Sequence, residues 1–256
     1  MSEHRPPLDP AQLRPALRLP WTGVRVVEET ASTNVGVLGS PPGSVLVAEY
    51  QSSGRGRLDR NWVAPRGSGL TFSVLLRPLV PRTRWGWLPL LAGLALHDAV
   101  SPLAPASLKW PNDLLLTGAG KLAGVLAQAD HEDVVIGIGL NVSTTADELP
   151  VPTATSLLLA GVQVDRGALL VSVLDALGAR VLRWQDAGGD AEECGAAADY
   201  RAACATIGMD VMVTGTDGVA YAGTGVGVDG DGRLRLRVGL QEQVLAAGDV
   251  EHLRPR

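Results

Sequence analysis

The sequence predicts a mixed α/β fold with a smaller all-β unit at its C-terminal end, and three observations support this prediction. Short apolar runs alternate with turn residues through the first part of the chain, as is typical of strands. Segments with helical periodicity lie between and after these runs. From about residue 208, short strand-like runs are separated by Asp-Gly pairs, which favour tight turns between strands.

The first part of the chain contains enough apolar runs to build a sheet. Strands are predicted at residues 24–27, 45–48, 70–76, 114–116, 125–129 and 134–142. Helices are predicted over residues 87–100, 165–184 and 191–205, with Asp165 and Asp190 as N-caps. We therefore expect helices that cover a sheet.

The last part of the chain, from residue 208, is predicted to be a separate barrel of about 50 residues. Its strands are expected at residues 211–214, 219–228, 234–238 and 244–246, with turns at 217–218 and 229–232. Three arginines alternate with apolar residues along the third of these strands, at positions 233, 235 and 237. This alternation predicts a strand with one solvated face.

Composition limits the classes of protein that the chain can belong to. Its 256 residues, 46% of them hydrophobic, suffice to bury about 75% of the unfolded surface, which excludes intrinsic disorder. The net charge is −5 and the isoelectric point is about 5.4, whereas nucleic-acid-binding proteins normally carry a broad basic surface. We therefore expect no nucleic-acid partner, and any basic feature should be local.

Cysteine and histidine usage predicts neither a disulfide framework nor a structural metal. Cys194 and Cys204 fall in the helix predicted over 191–205, which would separate them by about 15 Å along its axis, too far for a disulfide. The chain has no Cys-x-x-Cys pair, and its four histidines are scattered. A reducing, cytoplasmic location is the expectation.

The N-terminal 20 residues contain five prolines and no apolar signal-peptide core. A segment of this length is too short to fold alone, since domains below about 40 residues usually need additional cross-links. The most apolar stretch, residues 85–96, is shorter than a membrane span. We therefore expect no DNA-binding head and no membrane partner.

Residues 51–62 read Gln-Ser-Ser-Gly-Arg-Gly-Arg-Leu-Asp-Arg-Asn-Trp and combine three arginines with two glycines. Glycines let backbone N–H groups approach a ligand closely, and arginines bind carboxylate or phosphate oxygens in pairs. The alternative is a solvated basic loop. We favour a mobile anion-binding loop, because the protein is acidic and the segment directly follows a strand and ends in Trp62.

Three further segments place polar side chains where the sequence is otherwise built for burial. Lys109, Asn112, Asp113 and Lys121 form the first group, and buried polar groups need partners or a ligand; a turn at 112–113 is the alternative. Residues 30–34, Thr-Ala-Ser-Thr-Asn, either cap a helix beginning near Val35 or bind a neutral polar group such as a urea. The third is 137–141, where an asparagine ends an apolar strand and either binds a sugar or base or forms a turn at the strand end.

Several familiar motifs are excluded. The lysine at 121 lacks the flanking residues of a phosphate-binding loop, and residues 137–142 lack the third glycine of a dinucleotide fingerprint. The acidic turn at 229–232 departs from a calcium loop at its fifth and twelfth positions. Without a Gly-x-Ser-x-Gly elbow or an activated cysteine, an enzyme with this sequence works by positioning and charge.

Taken together and in their order along the chain, 30–34, 51–62, 109–121 and 137–141, the four segments closely resemble the biotin protein ligases, also called biotin–acetyl-CoA-carboxylase ligases. The pair formed by Gly-Arg-Gly-Arg at 54–57 and Lys-Trp-Pro-Asn-Asp at 109–113 is highly specific. The resemblance extends from residue 29 onward and includes residues 121–124, 155–157 and 198–201. The chain resembles the form of the family that lacks the N-terminal DNA-binding domain, so we expect an enzyme that is not also a repressor.

The resemblance implies a catalytic domain like that of class II aminoacyl-tRNA synthetases and biotin ligases, followed by a small SH3-like β-barrel. We expect a leader at 1–20, the catalytic domain at 21–207 and the barrel at 208–256. The implied reaction joins biotin to ATP with Mg²⁺ as biotinyl-5'-AMP. The biotinyl group then passes to one lysine of a biotin carboxyl carrier protein domain of a carboxylase.

The resemblance also implies a role for each motif residue. Arg57 and Lys121 would be catalytic, contacting the biotin carboxylate and the α-phosphate. The biotin-binding residues would be Ser32, Thr33, Asn34, Gln51, Gly54, Arg55, Gly56, Arg57, Lys121 and Gly124. The nucleotide-binding residues would be Arg57, Arg60, Trp62, Asn112, Asp113, Lys121 and Asn141, with Arg60 on the outgoing phosphates, Trp62 on the adenine side and Asp113 a candidate metal ligand.

One departure from the family pattern concerns the basic loop, where Asp59 replaces a usual glycine. Its charge could pair with Arg57 or Arg60 and loosen phosphate binding. The alternatives are a lipoate or octanoate ligase, which would need an apolar slot without a urea receptor; a biotin-responsive nucleic-acid binder; and a module that binds biotin without turnover. The polar motifs at 32–34 and 51–57 favour the biotin ligase.

Overall fold

The computed structural model describes residues 5–58, 60–216 and 218–253, and a seven-stranded sheet forms the centre of its larger part. In chain order the strands are β1 (Gly23–Val27), β2 (Ser44–Ala48), β3 (Gly69–Leu76), β4 (Ala106–Lys109), β5 (Asp113–Leu116), β6 (Gly120–Asp130) and β7 (Asp133–Asn141). Their spatial order is β1-β2-β3-β7-β6-β5-β4. β1 and β2 pair in parallel, and the other neighbours in this sheet pair antiparallel.

All six strands predicted in this region are present, but the prediction missed β4 and the first half of β6. β4 reads Ala-Ser-Leu-Lys and β6 begins Gly-Lys-Leu-Ala-Gly, and neither is rich in β-branched or aromatic residues. Both segments become strands because each pairs with β5, with Ala106 opposite Leu116 and Gly124 opposite Asp113.

Two long helices pack against the sheet and against each other, as the periodicity predicts. They are α3 (Leu88–Val100), which contacts β6, and α4 (Arg166–Asp186), which contacts β3. The predicted N-cap at Asp165 is confirmed, since its carboxylate accepts a hydrogen bond from the Ala168 amide at 2.8 Å. Shorter helical segments precede them: α1 (Pro10–Leu13), α2 (Thr33–Gly36) and 3₁₀ turns at Arg14–Ala16 and Arg82–Trp87.

None of the helices in the described part of the chain is long and apolar enough to cross a membrane.

The prediction of one helix over 191–205 is wrong in its first third. Helix α5 spans Ala196–Ala203, and its N-cap is Gly195 with a φ of +80° rather than Asp190. The carboxylate of Asp190 instead accepts from the amides of the two following glutamates, capping a separate turn. The left-handed backbone at Gly195 interrupts the helix. Both cysteines are free, one on either side of α5.

The C-terminal part is a five-stranded antiparallel sheet, which fits the expected small SH3-like unit. Its strands are β8 (Asp210–Gly215), β9 (Ala220–Val228), β10 (Leu234–Val238), β11 (Gln241–Leu245) and β12 (Gly248–His252), in the order β11-β10-β9-β8-β12. β11 begins earlier than predicted, and β12 was not predicted. The turn predicted at 217–218 includes residue 217, which lies outside the described residues.

The solvated face predicted for β10 is confirmed. Arg235 and Arg237 are exposed, while the leucines on either side of Arg235 are buried. Arg235 pairs with Glu242 on the neighbouring strand at 2.6 Å. The turn before β10 is also confirmed, since the Gly232 amide donates to the Asp229 carbonyl at 3.0 Å and the Asp231 amide donates to the Asp229 carboxylate. These arginines are therefore engaged with acidic neighbours on the same sheet.

The C-terminal sheet packs directly on the larger part, and one hydrophobic cluster runs through both. Two buried indoles also connect them by hydrogen bonds. Trp87 donates to the Gly230 carbonyl at 2.9 Å, and Trp110 donates to the Gly232 carbonyl at 3.1 Å. These contacts anchor the turn before β10 to the larger part.

The proline-rich leader has no core of its own and instead packs on the larger part. Leu8 and Leu13 are buried there. The Leu8 amide donates to the Glu49 carboxylate at 2.6 Å, and Arg5 forms an ion pair with Glu148 at 2.6 Å. The described leader residues are therefore an integral part of the fold.

Candidate active site

A cavity of about 880 Å³ is enclosed by residues of β6, β7, the loop at 51–63 and β12. It brings together the polar segments that the sequence singled out. The predicted site residues that line it are Ser32, Thr33, Asn34, Gln51, Arg55, Gly56, Arg57, Arg60, Trp62, Asn112, Asp113, Lys121, Gly124 and Asn141. Gly54 lies outside the lining, within the loop itself.

One end of the cavity is a network of hydroxyl and amide groups, in which Thr33, Asn34 and Ser73 are buried. The Gln51 side-chain oxygen accepts from the Thr33 amide at 2.6 Å and lies 3.0 Å from the Thr33 hydroxyl. Ser73 donates to the Asn34 side-chain oxygen at 2.6 Å and lies 2.7 Å from the Thr33 hydroxyl. The Asn34 amide donates to the Gln128 side chain at 2.6 Å. Each group is therefore held in a fixed direction, which suits a neutral polar ligand.

The Ser-Thr-Asn segment begins helix α2 two residues earlier than predicted. Ser32 occupies the N-cap position, but its side chain makes no capping hydrogen bond to the described backbone. Ser32 is also one of the residues that line the cavity. The ligand-binding interpretation of this segment is thus compatible with its place at a helix start.

The arginine-rich loop folds back on itself as a small hairpin. Arg55 bridges to Asn61, and the Gly56 amide donates to the Arg60 carbonyl at 2.6 Å. Gly54 lies where the two arms meet, and a methyl group there would overlap the Trp62 carbonyl oxygen. A glycine is therefore needed for the loop to close. Residue 59, the departure from the family pattern, lies outside the described residues.

The Trp62 side chain lies inside the cavity, on a floor formed by glycines of two adjacent strands. A Cβ atom at Gly139 would overlap the indole, and one at Gly124 would lie 3.5 Å from it. These two glycines face each other across β6 and β7. The indole nitrogen is buried and has no hydrogen-bond partner among the described residues.

Lys121 places an ammonium group beside Asp113. Its Nζ lies 2.6 Å from Asp113 Oδ1, and its backbone is fixed by hydrogen bonds to Thr153 and Thr155, each 2.8 Å long. Lys121 and Asp113, both named as candidate site residues from the sequence, therefore contact each other at the cavity. The Asp113 carboxylate keeps the cation paired while both line the cavity.

Arg57 reaches into the same region from the loop. It donates to Asn112 Oδ1 at 3.2 Å, and the Asn112 amide donates in turn to the Val125 carbonyl at 2.9 Å. Burial lowers the pKa of the Arg57 guanidinium, while the charges of Asp113 and Asp249 oppose that shift. An arginine stays protonated at neutral pH, so a partly desolvated cation faces the cavity.

Asn141 ends β7 with its side chain buried. Its amide donates to the Thr155 carbonyl at 2.9 Å, which ties the strand end to the segment at 153–155. The side chain thus has a structural partner and also lines the cavity.

Sequence reasoning missed several residues at the cavity. Ser73 and Gln128 support its polar end, and neither belongs to a recognisable motif. β12 adds Asp249, Glu251 and His252, which had no signal because the strand itself was not predicted. Burial and the nearby Lys109 charge lower the pKa of His252.

Among the described residues, no group of three or more His, Cys, Asp or Glu side chains is placed to hold a metal ion.

The cavity combines a neutral polar end, two cations at Arg57 and Lys121, and an indole over a glycine floor. Such an arrangement can hold a ligand with an uncharged polar head and an anionic tail.

Comparison with known sequences gives a consistent set of relatives. The model of the Biotin/lipoate A/B protein ligase family matches residues 23–141. The biotin–acetyl-CoA-carboxylase ligase of Mycobacterium tuberculosis is 43% identical over 98% of this chain and 97% of its own. The bifunctional ligase/repressor BirA of Bacillus spizizenii is 35% identical over 59% of this chain and 48% of its own.

Comparison with solved structures gives the same family. The biotin protein ligase of Aquifex aeolicus, solved in complex with biotin and ATP, superposes with a TM-score of 0.78 and 27% identity, covering 92% of this chain and 100% of that one. The Leishmania major enzyme, solved with biotinyl-5-AMP, shares the fold with a TM-score of 0.58 and 21% identity, over 91% of this chain and 98% of that one.

Proposed function

The chain belongs to the biotin protein ligase family, and from this premise we propose how its cavity attaches biotin to a protein. It is an ATP-dependent biotin ligase, which joins biotin to ATP as biotinyl-5'-AMP and then transfers biotin to a lysine of a carboxylase. The main observation that supports this conclusion is 43% sequence identity to such a ligase over 98% of the chain. The acceptor we propose is a biotin carboxyl carrier protein domain.

We assign the polar end of the cavity to the ureido ring of biotin. Ser32, Thr33 and Gln51 would bind the ring, helped by Asn34 and by backbone groups of the loop at 54–56. The ureido group is neutral and both donates and accepts hydrogen bonds, which fits hydroxyl and amide groups fixed in direction by Ser73 and Gln128. Gly124, on the strand floor, would leave room for the ring system.

The first half-reaction requires two anions to meet. A carboxylate oxygen of biotin attacks the α-phosphorus of ATP, a P–O bond forms, and the bond to pyrophosphate breaks. We propose that Arg57 and Lys121 lie on either side of the reacting groups and that Arg60 binds the departing phosphates. Cations placed where charge builds up lower such a barrier, and each donor accelerates the reaction by about 100- to 1000-fold.

We assign the remaining polar residues to the nucleotide. Trp62 would move from the glycine floor to the adenine side, and Asn112, Asp113 and Asn141 would fix the ribose and phosphates. Mg²⁺ is commonly bound by one or two carboxylates together with substrate phosphates, so the absence of an all-protein metal cluster among the described residues is compatible with it. Asp113 would hold the ion, which would neutralise phosphate charge.

In the second half-reaction, the amine of the acceptor lysine attacks the carbonyl carbon of biotinyl-5'-AMP. An amide bond forms, AMP leaves, and the nitrogen loses a proton. The amine must arrive uncharged, and the loop at 51–63, folded over the adenylate, would exclude water and so protect the mixed anhydride. The glycine-flanked arginines suit such a lid.

We propose the domain limits 21–207 for the catalytic part and 208–256 for the SH3-like part, with the leader at 1–20 packed on the former. The change from mixed sheet to purely antiparallel sheet near residue 208 supports this division. We also propose a cytoplasmic location, where ATP is available and where the two free thiols remain reduced.

Biotin-dependent release of pyrophosphate from ATP and Mg²⁺ tests the function, with lipoate and octanoate as parallel substrates. We expect pyrophosphate release with biotin but not with lipoate or octanoate. The rate of release should fall by about 100- to 1000-fold in Lys121→Ala. Arg237→Ala, which removes an exposed cation from β10, is the matched control and should keep full activity. Release with lipoate or octanoate instead would assign the chain to the lipoate branch of the family.

A further inference from the structure

The arginine-rich loop is connected across the cavity to the last strand of the C-terminal sheet. The Arg60 guanidinium forms a two-point ion pair with the Asp249 carboxylate on β12. The preceding residue of β12, Gly248, accepts a hydrogen bond from Arg57 at 3.2 Å. Both arginines assigned above to phosphate groups are therefore in contact with β12.

The Asp249 carboxylate occupies donors that a phosphate would need. An arginine presents paired N–H groups that fit a carboxylate or a phosphate equally well. The Arg60 and Asp249 side chains are 64% and 46% exposed, and ion pairs with this exposure are weak and readily exchanged. A multiply charged phosphate group can therefore displace the carboxylate.

We propose that Asp249 is a positioning residue that holds the loop at 51–63 against the C-terminal sheet until the phosphates of ATP take its place on Arg60. This rests on the proposed function, which assigns Arg60 to the outgoing phosphates. ATP must then compete with an internal anion, whereas biotin, bound at the polar end, does not. The C-terminal sheet thereby sets the apparent affinity for ATP without touching biotin.

The Asp249→Asn variant tests this competition. We expect its KM for ATP to fall by about two- to fivefold, the range that an exposed ion pair provides, with KM for biotin and kcat unchanged. The difference from the wild-type enzyme should shrink as salt is added, because salt already weakens the wild-type pair. Glu242→Gln, which removes an exposed carboxylate from Arg235 on the same sheet, should change neither KM.

A second readout is independent of catalysis. Without ligands, trypsin should cut the loop at Arg57 or Arg60 faster in Asp249→Asn than in the wild type, and Asp249→Glu should restore slow cleavage. Unchanged KM for ATP together with unchanged cleavage would overturn the proposal. A fall in kcat with a raised Mg²⁺ requirement would also overturn it, because Asp249 would then be a metal ligand. Failure of the wild-type enzyme to release pyrophosphate would instead contradict the proposed function, and cleavage would still decide the role of Asp249.

Discussion

The indole ring of Trp62 lies so close to the backbone of Gly139 that a methyl group on that residue would overlap the ring. Gly124, opposite Gly139 on the neighbouring strand, completes a flat floor. The indole N–H is buried there with no partner in the described part of the chain, which costs about 1–3 kcal/mol. This unpaired donor favours release of the ring when a ligand enters the cavity.

Gly139→Ala should therefore displace Trp62 from the floor in the ligand-free enzyme. We expect the fluorescence emission of Trp62, obtained as the difference from a Trp62→Phe background, to shift to longer wavelength as the ring becomes solvated. Gly227→Ala is the control, because a methyl group there would meet nothing within 4 Å. An unshifted difference spectrum in Gly139→Ala would show that Trp62 does not occupy this position in solution.

Ser73→Ala should weaken biotin binding without affecting ATP. Ser73 is fully buried and fixes the Thr33 hydroxyl and the Asn34 side chain. Losing one such buried hydrogen bond costs about 1.4 kcal/mol, which corresponds to a KM for biotin raised by about tenfold. Ser101→Ala, at an exposed helix end, should leave both KM values unchanged. Equal changes in the KM for biotin and for ATP would indicate general destabilisation rather than a role at the polar end.

Glu148→Gln should loosen the leader in a pH-dependent way. Hydrogen bonds from Arg5 lower the pKa of Glu148 from 4.5 to about 2. Folding therefore favours the ionised form, so the stabilisation is complete above the unfolded pKa and is lost as the pH falls toward the folded one. We expect Glu148→Gln to lower the free energy of unfolding by up to about 1 kcal/mol near neutral pH.

Urea unfolding at several pH values measures this effect. The difference between wild type and Glu148→Gln should be constant from about pH 7 to pH 5 and should shrink toward about pH 3. Glu132→Gln, in the exposed turn between β6 and β7, should show no such dependence. A difference that grows on acidification would rule out the Arg5 pair as its source.

The chain should resist modification by its own product. Two of its 22 basic residues are lysines, Lys109 and Lys121, and both line the cavity. Because biotinyl-5'-AMP acylates free amines, adenylate that escapes from the site would meet no lysine outside the cavity. We expect little lysine biotinylation when the enzyme is incubated with biotin and ATP but no acceptor.

The matched variant is Arg237→Lys, which keeps the charge but adds an amine on the exposed face of β10. Mass spectrometry of the intact protein and its peptides should detect biotin at residue 237 in this variant. Equal lysine biotinylation of wild type and variant would contradict the expectation.

Much of the fold was predictable, because the signals are local. Alternating apolar runs predicted six strands of the larger sheet, and an aspartate before an apolar helix predicted the cap at Asp165. The helix over 191–205 was overextended, because apolar and helix-forming residues continue across Gly195, whose left-handed backbone the composition does not reveal.

The candidate site was predictable where its residues form motifs. The loop at 51–62 and the segment at 109–113 have compositions that serve anion binding better than packing. Their supporting residues had no such signal. Ser73 lies in an apolar strand, and its role appears only when β3 lies beside the start of α2.

Sequence alone determined the features that depend on residues close together in the chain. These are the glycines and arginines of the loop, the helix start at Asp165 and the alternation of exposed and buried residues along β10. Tertiary structure decided the rest. β4 becomes a strand by pairing with β5, and Asp249 meets Arg60 across 189 residues of chain. Turn chemistry and side-chain alternation act within a few residues, whereas strand pairing and ion pairs depend on distances that exist only after the chain has packed.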